Sequence, residues 1–204
     1  MSEQAKACFS LRNYGIFCRN LHFKERQVKG KMRSEWVKSA DFDHLLAALM
    51  PQNRLALETS METGLRIGDV LNFRTDRLKP RMGVREQKTG KYRTVYLPAR
   101  LYDRLVANAG KIYVFEGRND YRKHRTRGAV YNDLVRAAKL FRIDGKRVHA
   151  HVTPHSARKL YAVSDYRRHG DMKRIQKLLN HTSEAVTMLY AFADILTERR
   201  ERHG

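Results

Sequence analysis

The chain has 204 residues and carries 42 Lys and Arg against 21 Asp and Glu, a formal net charge of +21 with neutral histidine. Because self-repulsion of this size destabilises a compact fold, we expect a polyanionic partner, with nucleic acid favoured over an anionic membrane surface. No window approaches about 18 apolar residues and the N-terminus lacks the apolar stretch of a signal peptide, so we expect a cytoplasmic protein.

The sequence divides into three predicted parts. Residues 1–35 form a basic segment whose aromatic residues follow no clear period, which predicts an arm that is either a solvated tail or a DNA-tracking element. Residues 36–195 have the apolar periodicity of one folded domain, and residues 196–204 are predicted to form a tail. The hydrophobic content of 42% supports a packed core in that domain.

The predicted elements are mostly helical. Apolar residues spaced three and four apart, with Ser, Thr, Pro or Gly at the ends, indicate helices. In chain order these are Ser39 to Leu49, Pro51 to the break at Gly64, Arg66 to Phe73, Ala99 to Ala109, Val130 to Phe141, Pro154 to His169, Met172 to Leu179 and Ser183 to Phe192. Alternating residues after Pro80 predict two strands, Val84 to Gln87 and Tyr92 to Leu97, joined by a turn that contains Gly90. The expected fold is mostly α with one small antiparallel β-sheet.

Two segments in the first half of the domain carry side chains suited to anion chemistry. Arg66 and Asp69 lie three residues apart on one helix face, just after Gly64, which leaves Arg66 open to an anion. The alternative is an ordinary surface Arg–Asp pair. Lys88 and Lys91 stand in the predicted hairpin turn, where a lysine can donate a proton or contact a phosphate, or can simply keep the turn soluble.

The second half contains the pattern His-x-x-Arg twice. His155 and Arg158 lie in the first turn of the helix that Thr153 caps and Pro154 begins. His124 and Arg127 lie in a polar, very basic loop, where contact with DNA phosphates is the simpler interpretation. The context therefore favours the later copy as the chemical one.

The last segment is Leu178-x-x-His181, followed nine residues later by Tyr190. Each segment alone has a structural explanation, but their order and spacing strongly resemble the catalytic domain of the tyrosine recombinases, the phage integrase family. The resemblance covers residues from about 36 to 195 and includes every position of the family's active site.

The resemblance implies a role for each matching residue. Arg66 and Arg158 would clamp the scissile phosphate, and Asp69 would support the pocket from behind. Lys88 would protonate the departing 5′ oxygen. Two guanidinium groups suit this task because they stabilise charge on non-bridging oxygens with fixed, bidentate geometry.

The same resemblance makes Tyr190 the nucleophile. His155 would assist its deprotonation, and His181 would donate a hydrogen bond to a non-bridging oxygen. A phenol with an unperturbed pKa near 10 requires such activation, which nearby cations and a histidine supply.

The function that the resemblance implies is site-specific DNA recombination through a covalent 3′-phosphotyrosine intermediate, leading to integration, excision or inversion. The alternatives are a catalytically degenerate DNA-binding regulator and a telomere-resolving or topoisomerase-like enzyme that uses the same chemistry. Expected partners are double-stranded DNA with specific sites, further copies of the chain in a tetrameric synapse, and accessory DNA-bending proteins. A prokaryotic or phage protein associated with the nucleoid is expected.

No cofactor or metal is expected. Cys8 and Cys18 are too few for a zinc cluster, and Pro154 interrupts the set His149, His151 and His155. The remaining basic residues are expected to track the DNA backbone without reading sequence. The candidates are Lys91, Arg118, Arg122, Lys123, His124, Arg125 and Arg127.

The sequence also differs from most of the family, whose members carry a separate helical DNA-binding domain before the catalytic one. In this respect it resembles the small fimbrial phase-variation invertases. That likeness implies that one copy holds DNA weakly and depends on cooperative assembly. The segment around Ile195 and Leu196 resembles the family's C-terminal helix that docks on a neighbouring protomer, with a frayed end as the alternative.

Overall fold

A computed structural model describes Val37 and residues 39–143, 146–147, 151–171 and 174 of the chain. In these ranges six α-helices are formed: Ser39–Ala47 (α1), Pro51–Thr63 (α2), Ile67–Leu71 (α3), Ala99–Ala107 (α4), Arg127–Leu140 (α5) and Pro154–His169 (α6). Strands Arg81–Arg85 (β1) and Tyr92–Tyr96 (β2) pair antiparallel, and so do the two-residue strands Arg142–Ile143 (β3) and Lys146–Arg147 (β4). The predicted mostly α fold is confirmed, and β1 and β2 form the predicted small antiparallel sheet, whereas the pairing of β3 with β4 was not predicted. None of the described helices is long and apolar enough to cross a membrane.

Several boundaries differ from the prediction. Helix α3 begins at Ile67 rather than Arg66, because Arg66 has an extended backbone (φ −67°, ψ 147°) at the N-cap. Strand β1 ends at Arg85 rather than Gln87, because Gly90 N donates to Glu86 O at 2.8 Å and turns the chain there. Helix α5 begins three residues early, since the Thr126 hydroxyl accepts from Ala129 N at 3.1 Å and caps it. The predicted arm, tail and last two helices lie outside the described residues.

Helix α2 lies at the centre of the core. It packs against α1, α3, α5 and α6. The largest fully buried side chains of the described residues come from α1, α2, α3, α4 and α5 and from the segments between and before them: Val37, Phe42, Leu45, Leu57, Leu65, Val70, Leu71, Leu105, Val114, Phe115 and Leu134. Helix α2 is therefore held on several sides, and the segment that follows it leads to Arg66.

The chain leaves α2 through a tightly packed glycine. Gly64 has the left-handed conformation (φ 66°), and a Cβ placed on it would lie 2.3 Å from Cδ1 of Tyr161 in α6. Arg93 in β2 donates from Nη2 to Thr63 O at 2.7 Å, and its guanidinium lies 5.9 Å from the centre of the Tyr161 ring. The segment before Arg66 is thus fixed between α6 and the hairpin, and the predicted helix break at Gly64 is confirmed.

Candidate active site

Arg66 and Glu86 form a nearly buried ion pair. Arg66 Nη1 donates to Glu86 Oε2 at 2.7 Å, and the two side chains are 11% and 10% exposed. The second terminal nitrogen, Arg66 Nη2, is buried and has no hydrogen-bond partner among the described residues. A buried guanidinium with a donor to spare is suited to bind an anion.

Asp69 joins helix α3 to the hairpin. Its Oδ1 accepts from the backbone nitrogen of Gln87 at 2.9 Å, and its side chain is buried. The neighbouring Gly68 lies close to two side chains. A Cβ on it would be 3.3 Å from Cδ of Arg127 and 3.4 Å from Oε1 of Gln87. Asp69 and Glu86 therefore attach the base of the hairpin turn to the Arg66 segment.

Arg158 approaches the same carboxylates from helix α6. Its side chain is buried, and its positive charge acts to lower the pKa of both Asp69 and Glu86. His155 lies one helical turn earlier and is exposed at the start of α6. Thr153 caps this helix, with its hydroxyl accepting from His155 N at 3.3 Å, and the predicted cap is confirmed.

The pKa values of the two carboxylates are shifted in opposite directions. Burial raises the pKa of Asp69 above its ordinary value of 3.8, although the Gln87 amide and two arginines oppose that effect. Burial also acts to raise the pKa of Glu86, but hydrogen bonds from Thr89 and Arg66 outweigh it, so the net pKa lies below the ordinary value of 4.5. Glu86 is therefore ionised at neutral pH, and its charge is balanced by arginine.

Lys88 lies at the exposed end of the hairpin, two residues beyond Glu86. The turn is closed by Glu86 N donating to Lys91 O at 2.9 Å, and Gly90 supplies its left-handed residue with φ 68°. Lys91 is also exposed. The structure thus places Arg66 and Arg158 beside the carboxylates of Asp69 and Glu86, with Lys88 two residues beyond Glu86 and His155 one helical turn before Arg158.

The predicted backbone-contact residues in the basic loop fall into two groups. Arg118, Arg122, Lys123 and Arg127 are exposed, whereas His124 and Arg125 are partly buried. Arg125 donates to Gln52 Oε1 at 2.8 Å and also to Asn53 Oδ1, which ties it to helix α2. Side chains of this loop line a cavity of about 680 Å³. Arg66 is not part of the cavity lining, which includes Asn53, Arg118, Lys123, His124, Arg125 and Asp133.

His181, Tyr190 and His149 lie outside the described residues. Within the described part of the chain, no three His, Cys, Asp or Glu side chains come together in an arrangement that could hold a metal ion.

Glu86 is the residue that sequence reasoning missed. The signal for it is the alternation of the strand: Met82 and Val84 face inward, and the same parity places Glu86 on that side. An acidic side chain on a buried face needs a cationic partner, which points to a nearby arginine.

Comparison with known proteins identifies the fold. The model of the Phage integrase family matches residues 35–195. A "Tyrosine recombinase" of Thermosipho africanus (strain TCF52B) is 29% identical over 178 residues, which is 82% of this chain and 60% of that protein. The chain therefore spans somewhat less than two thirds of this relative.

Solved structures show the same architecture. A lambda integrase dimer bound to a COC′ core site superposes with a TM-score of 0.61 at 23% identity, covering 81% of this chain and 50% of that one. The catalytic domain of bacteriophage HP1 integrase gives a TM-score of 0.52 at 20% identity and covers 78% and 88% of the two chains. The described fold is that of an integrase catalytic domain. With the family match over most of its length, the chain belongs to the phage integrase family of tyrosine recombinases.

Proposed function

We propose that the protein is a site-specific recombinase that cleaves and rejoins duplex DNA through a 3′-phosphotyrosine intermediate. The observation that carries the proposal is the convergence of Arg66 and Arg158, from different elements, on two buried carboxylates beneath the hairpin that bears Lys88. Family membership supports the same reaction.

The arginines would act on the scissile phosphate. Charge develops on its non-bridging oxygens during displacement, and preorganised guanidinium groups stabilise that charge most effectively in a site that excludes water. Arg66 Nη2 is a buried donor with no partner among the described residues, as such a role requires. Asp69 and Glu86 balance the two cations in the absence of DNA.

The remaining steps balance without an external reactant. The phenolic oxygen of Tyr190 attacks phosphorus, its proton passes to His155, and the bond from phosphorus to the 5′ oxygen breaks. Lys88 donates a proton to that oxygen, and His181 donates a hydrogen bond to a non-bridging oxygen. One phosphodiester replaces another, so a 5′ hydroxyl of a second strand can reverse the reaction without ATP.

Assembly on DNA completes the proposal. The lambda integrase in the matching structure is a dimer on its core site, and we infer that copies of this chain also associate on paired sites, in a tetramer at the exchange step. The exposed basic residues of the loop and Lys91 would follow the phosphate backbone, which steers the protein to DNA without reading sequence. Accessory DNA-bending proteins would then help to set the recombination outcome.

Covalent capture tests the reaction. Nicked duplexes tiled from the DNA that flanks the coding sequence are incubated with the protein, and covalent adducts are separated on a denaturing gel and sequenced. We expect the unaltered protein to form an adduct with discrete sites and Tyr190→Phe to form none, because the variant lacks the attacking oxygen. Tyr131→Phe, which alters an exposed tyrosine on α5, is the matched control and should leave the adduct intact.

Two outcomes would contradict the proposal. An undiminished adduct with Tyr190→Phe would assign the nucleophile elsewhere, and no adduct from the unaltered protein across the tiled duplexes would remove the recombinase assignment. Relaxation of supercoiled plasmids that lack any captured site would instead favour a topoisomerase-like activity.

A further inference from the structure

Glu86 is a buried, ionised carboxylate to which the proposed reaction assigns no chemical step. Only 8% of the residue is exposed. Burying a carboxylate is unfavourable unless hydrogen bonds and opposite charges compensate it, and an anion close to a phosphate site also repels the substrate. A group with both disadvantages requires a specific explanation.

One oxygen of Glu86 connects Arg66 to the hairpin turn. Oε2 accepts from Arg66 Nη1 at 2.7 Å and from the Thr89 hydroxyl at 2.9 Å. Thr89 is the residue after Lys88 in the hairpin turn, and its hydroxyl also accepts weakly from Lys91 N at 3.4 Å. The carboxylate thus links the guanidinium to the turn that carries the lysine.

The main chain of Glu86 reinforces this link. Its nitrogen donates to Lys91 O at 2.9 Å, and its oxygen accepts from Gly90 N at 2.8 Å. Both its backbone groups therefore close the turn, while its side chain reaches down to Arg66. A shift of Glu86 would move the turn and the guanidinium together.

We propose that Glu86 is a positioning residue that sets the placement of Arg66 on the scissile phosphate and, through Thr89, the placement of Lys88 on the leaving oxygen. This inference rests on the proposed recombinase function. By occupying Nη1, Glu86 leaves Nη2 as the terminal nitrogen of Arg66 that faces substrate. Through Thr89, Glu86 also fixes Lys88, the general acid, on the other side of the phosphorus. The distance between Lys88 and Arg66 therefore stays constant.

The first test measures single-turnover cleavage of a captured, nicked duplex under saturating protein. We expect Glu86→Gln to cleave about tenfold to 100-fold more slowly with its Kd for DNA nearly unchanged, because misplacement by about 1 Å can cost 100-fold in rate. Glu58→Gln is the matched control, since Glu58 also forms arginine ion pairs, with Arg54 and Arg104, and neither of these is a proposed site residue. It should cleave at the rate of the unaltered protein.

Coupling between residues shows whether Glu86 acts through Arg66. Groups that act as one unit have non-additive effects when both are changed. We expect Arg66→Lys to slow cleavage and the double variant with Glu86→Gln to be no slower than Arg66→Lys within about threefold. If the double variant were slowed by the product of the two single-variant factors, the connection between Glu86 and Arg66 would be overturned.

A sulfur leaving group tests the connection to Lys88. In a duplex whose scissile phosphate carries a bridging 5′ sulfur, the leaving thiolate does not need a proton, because thiols are far more acidic than alcohols. We expect this substrate to restore the cleavage rate of Lys88→Ala and of Thr89→Val, and to restore Glu86→Gln only in part, since Arg66 stays displaced. A defect in Thr89→Val that the sulfur substrate leaves unchanged would overturn the connection to Lys88.

The outcomes separate this inference from the proposed function. An adduct from the unaltered protein together with an undiminished cleavage rate in Glu86→Gln would overturn the positioning role and leave the recombinase assignment intact. Absence of any adduct from the unaltered protein would overturn the recombinase assignment and this inference with it. Thermal unfolding of each variant shows that a rate loss does not come from an unfolded site.

Discussion

Gly64 gives the sharpest test of how the Arg66 segment is held. Gly64→Ala places a Cβ at a residue with φ 66° and 2.3 Å from Cδ1 and 2.5 Å from Cε1 of Tyr161. The left-handed conformation costs an L residue about 1–2 kcal/mol. Forcing a methyl group into a packed contact adds about 1–3 kcal/mol. The free energy of unfolding should therefore fall by about 2–5 kcal/mol, the sum of these two estimates.

Gly170→Ala is the control for this prediction. Gly170 ends α6 with the same φ of 66°, but a Cβ there would meet nothing within 4 Å. Only the conformational cost of about 1–2 kcal/mol applies to it. Urea unfolding gives both values, and thermal melting should show a shift of about 2–4 °C for each kcal/mol in a domain of this size.

A comparison of the variants shows whether the contact with Tyr161 is responsible. Equal losses in Gly64→Ala and Gly170→Ala would contradict this prediction, because the close approach to the ring would then have no energetic effect. In a Tyr161→Ala background the ring is removed. The additional loss from Gly64→Ala should then fall to the value of the control.

Four further predictions concern the site and the basic loop. Burial raises the pKa of Asp69 above its ordinary value of 3.8. Its contribution to the free energy of unfolding is therefore present below pH 3.8 and disappears as pH rises through the pKa in the folded state. We expect the unaltered protein to lose stability relative to Asp69→Asn as the pH rises toward neutral. The pKa of Glu86 lies below 4.5, so its contribution to stability is present above pH 4.5, and the stability advantage of the unaltered protein over Glu86→Gln shrinks as pH falls. Urea unfolding across the acid range measures both stability differences. A change with pH in the same direction for both variants would contradict the two predictions. Arg125→Ala should lower the free energy of unfolding by about 1.5–3 kcal/mol for each hydrogen bond that Arg125 makes to α2. The side chain of Lys123 is 80% exposed, so Lys123→Ala should change the free energy of unfolding by no more than about 0.5 kcal/mol in the same assay. Replacing Arg118 and Lys123 together by Ala should make the salt dependence of DNA affinity less steep by about 0.9 for each phosphate that the protein no longer neutralises, measured by fluorescence anisotropy, and an unchanged slope would remove these residues from the interface.

Local signals were sufficient to predict most of the fold. The helix break at Gly64 and the cap at Thr153 depend on residue types whose backbone preferences act within a few positions, and the structure confirms both. The change from helical to alternating spacing after Pro80 also predicted the hairpin, with its strands displaced by a few residues. Their exact ends depend on the turn hydrogen bonds around Glu86, which no local pattern specifies.

The candidate site shows the limit of the sequence. Order and spacing predict that Arg66, Lys88, His155 and Arg158 act as one set, because the family resemblance extends over the whole domain. The sequence suggested Asp69 as the acidic neighbour of Arg66, since the two are three residues apart on a predicted helix. The extended backbone of Arg66 removes it from that helix, and its guanidinium pairs with Glu86 instead.

The class of the protein follows from its amino-acid sequence, because the order of its motifs resembles the tyrosine recombinases and the family model matches residues 35–195. Its net charge of +21 favours a polyanionic partner. How the cations are held depends on the tertiary structure. Arg66 and Glu86 are twenty residues apart, and they meet because α2, the hairpin and α6 pack together around Gly64 and Tyr161. A pair of this kind depends on the mutual placement of distant elements, which the packed core sets and the local spacing of residues does not.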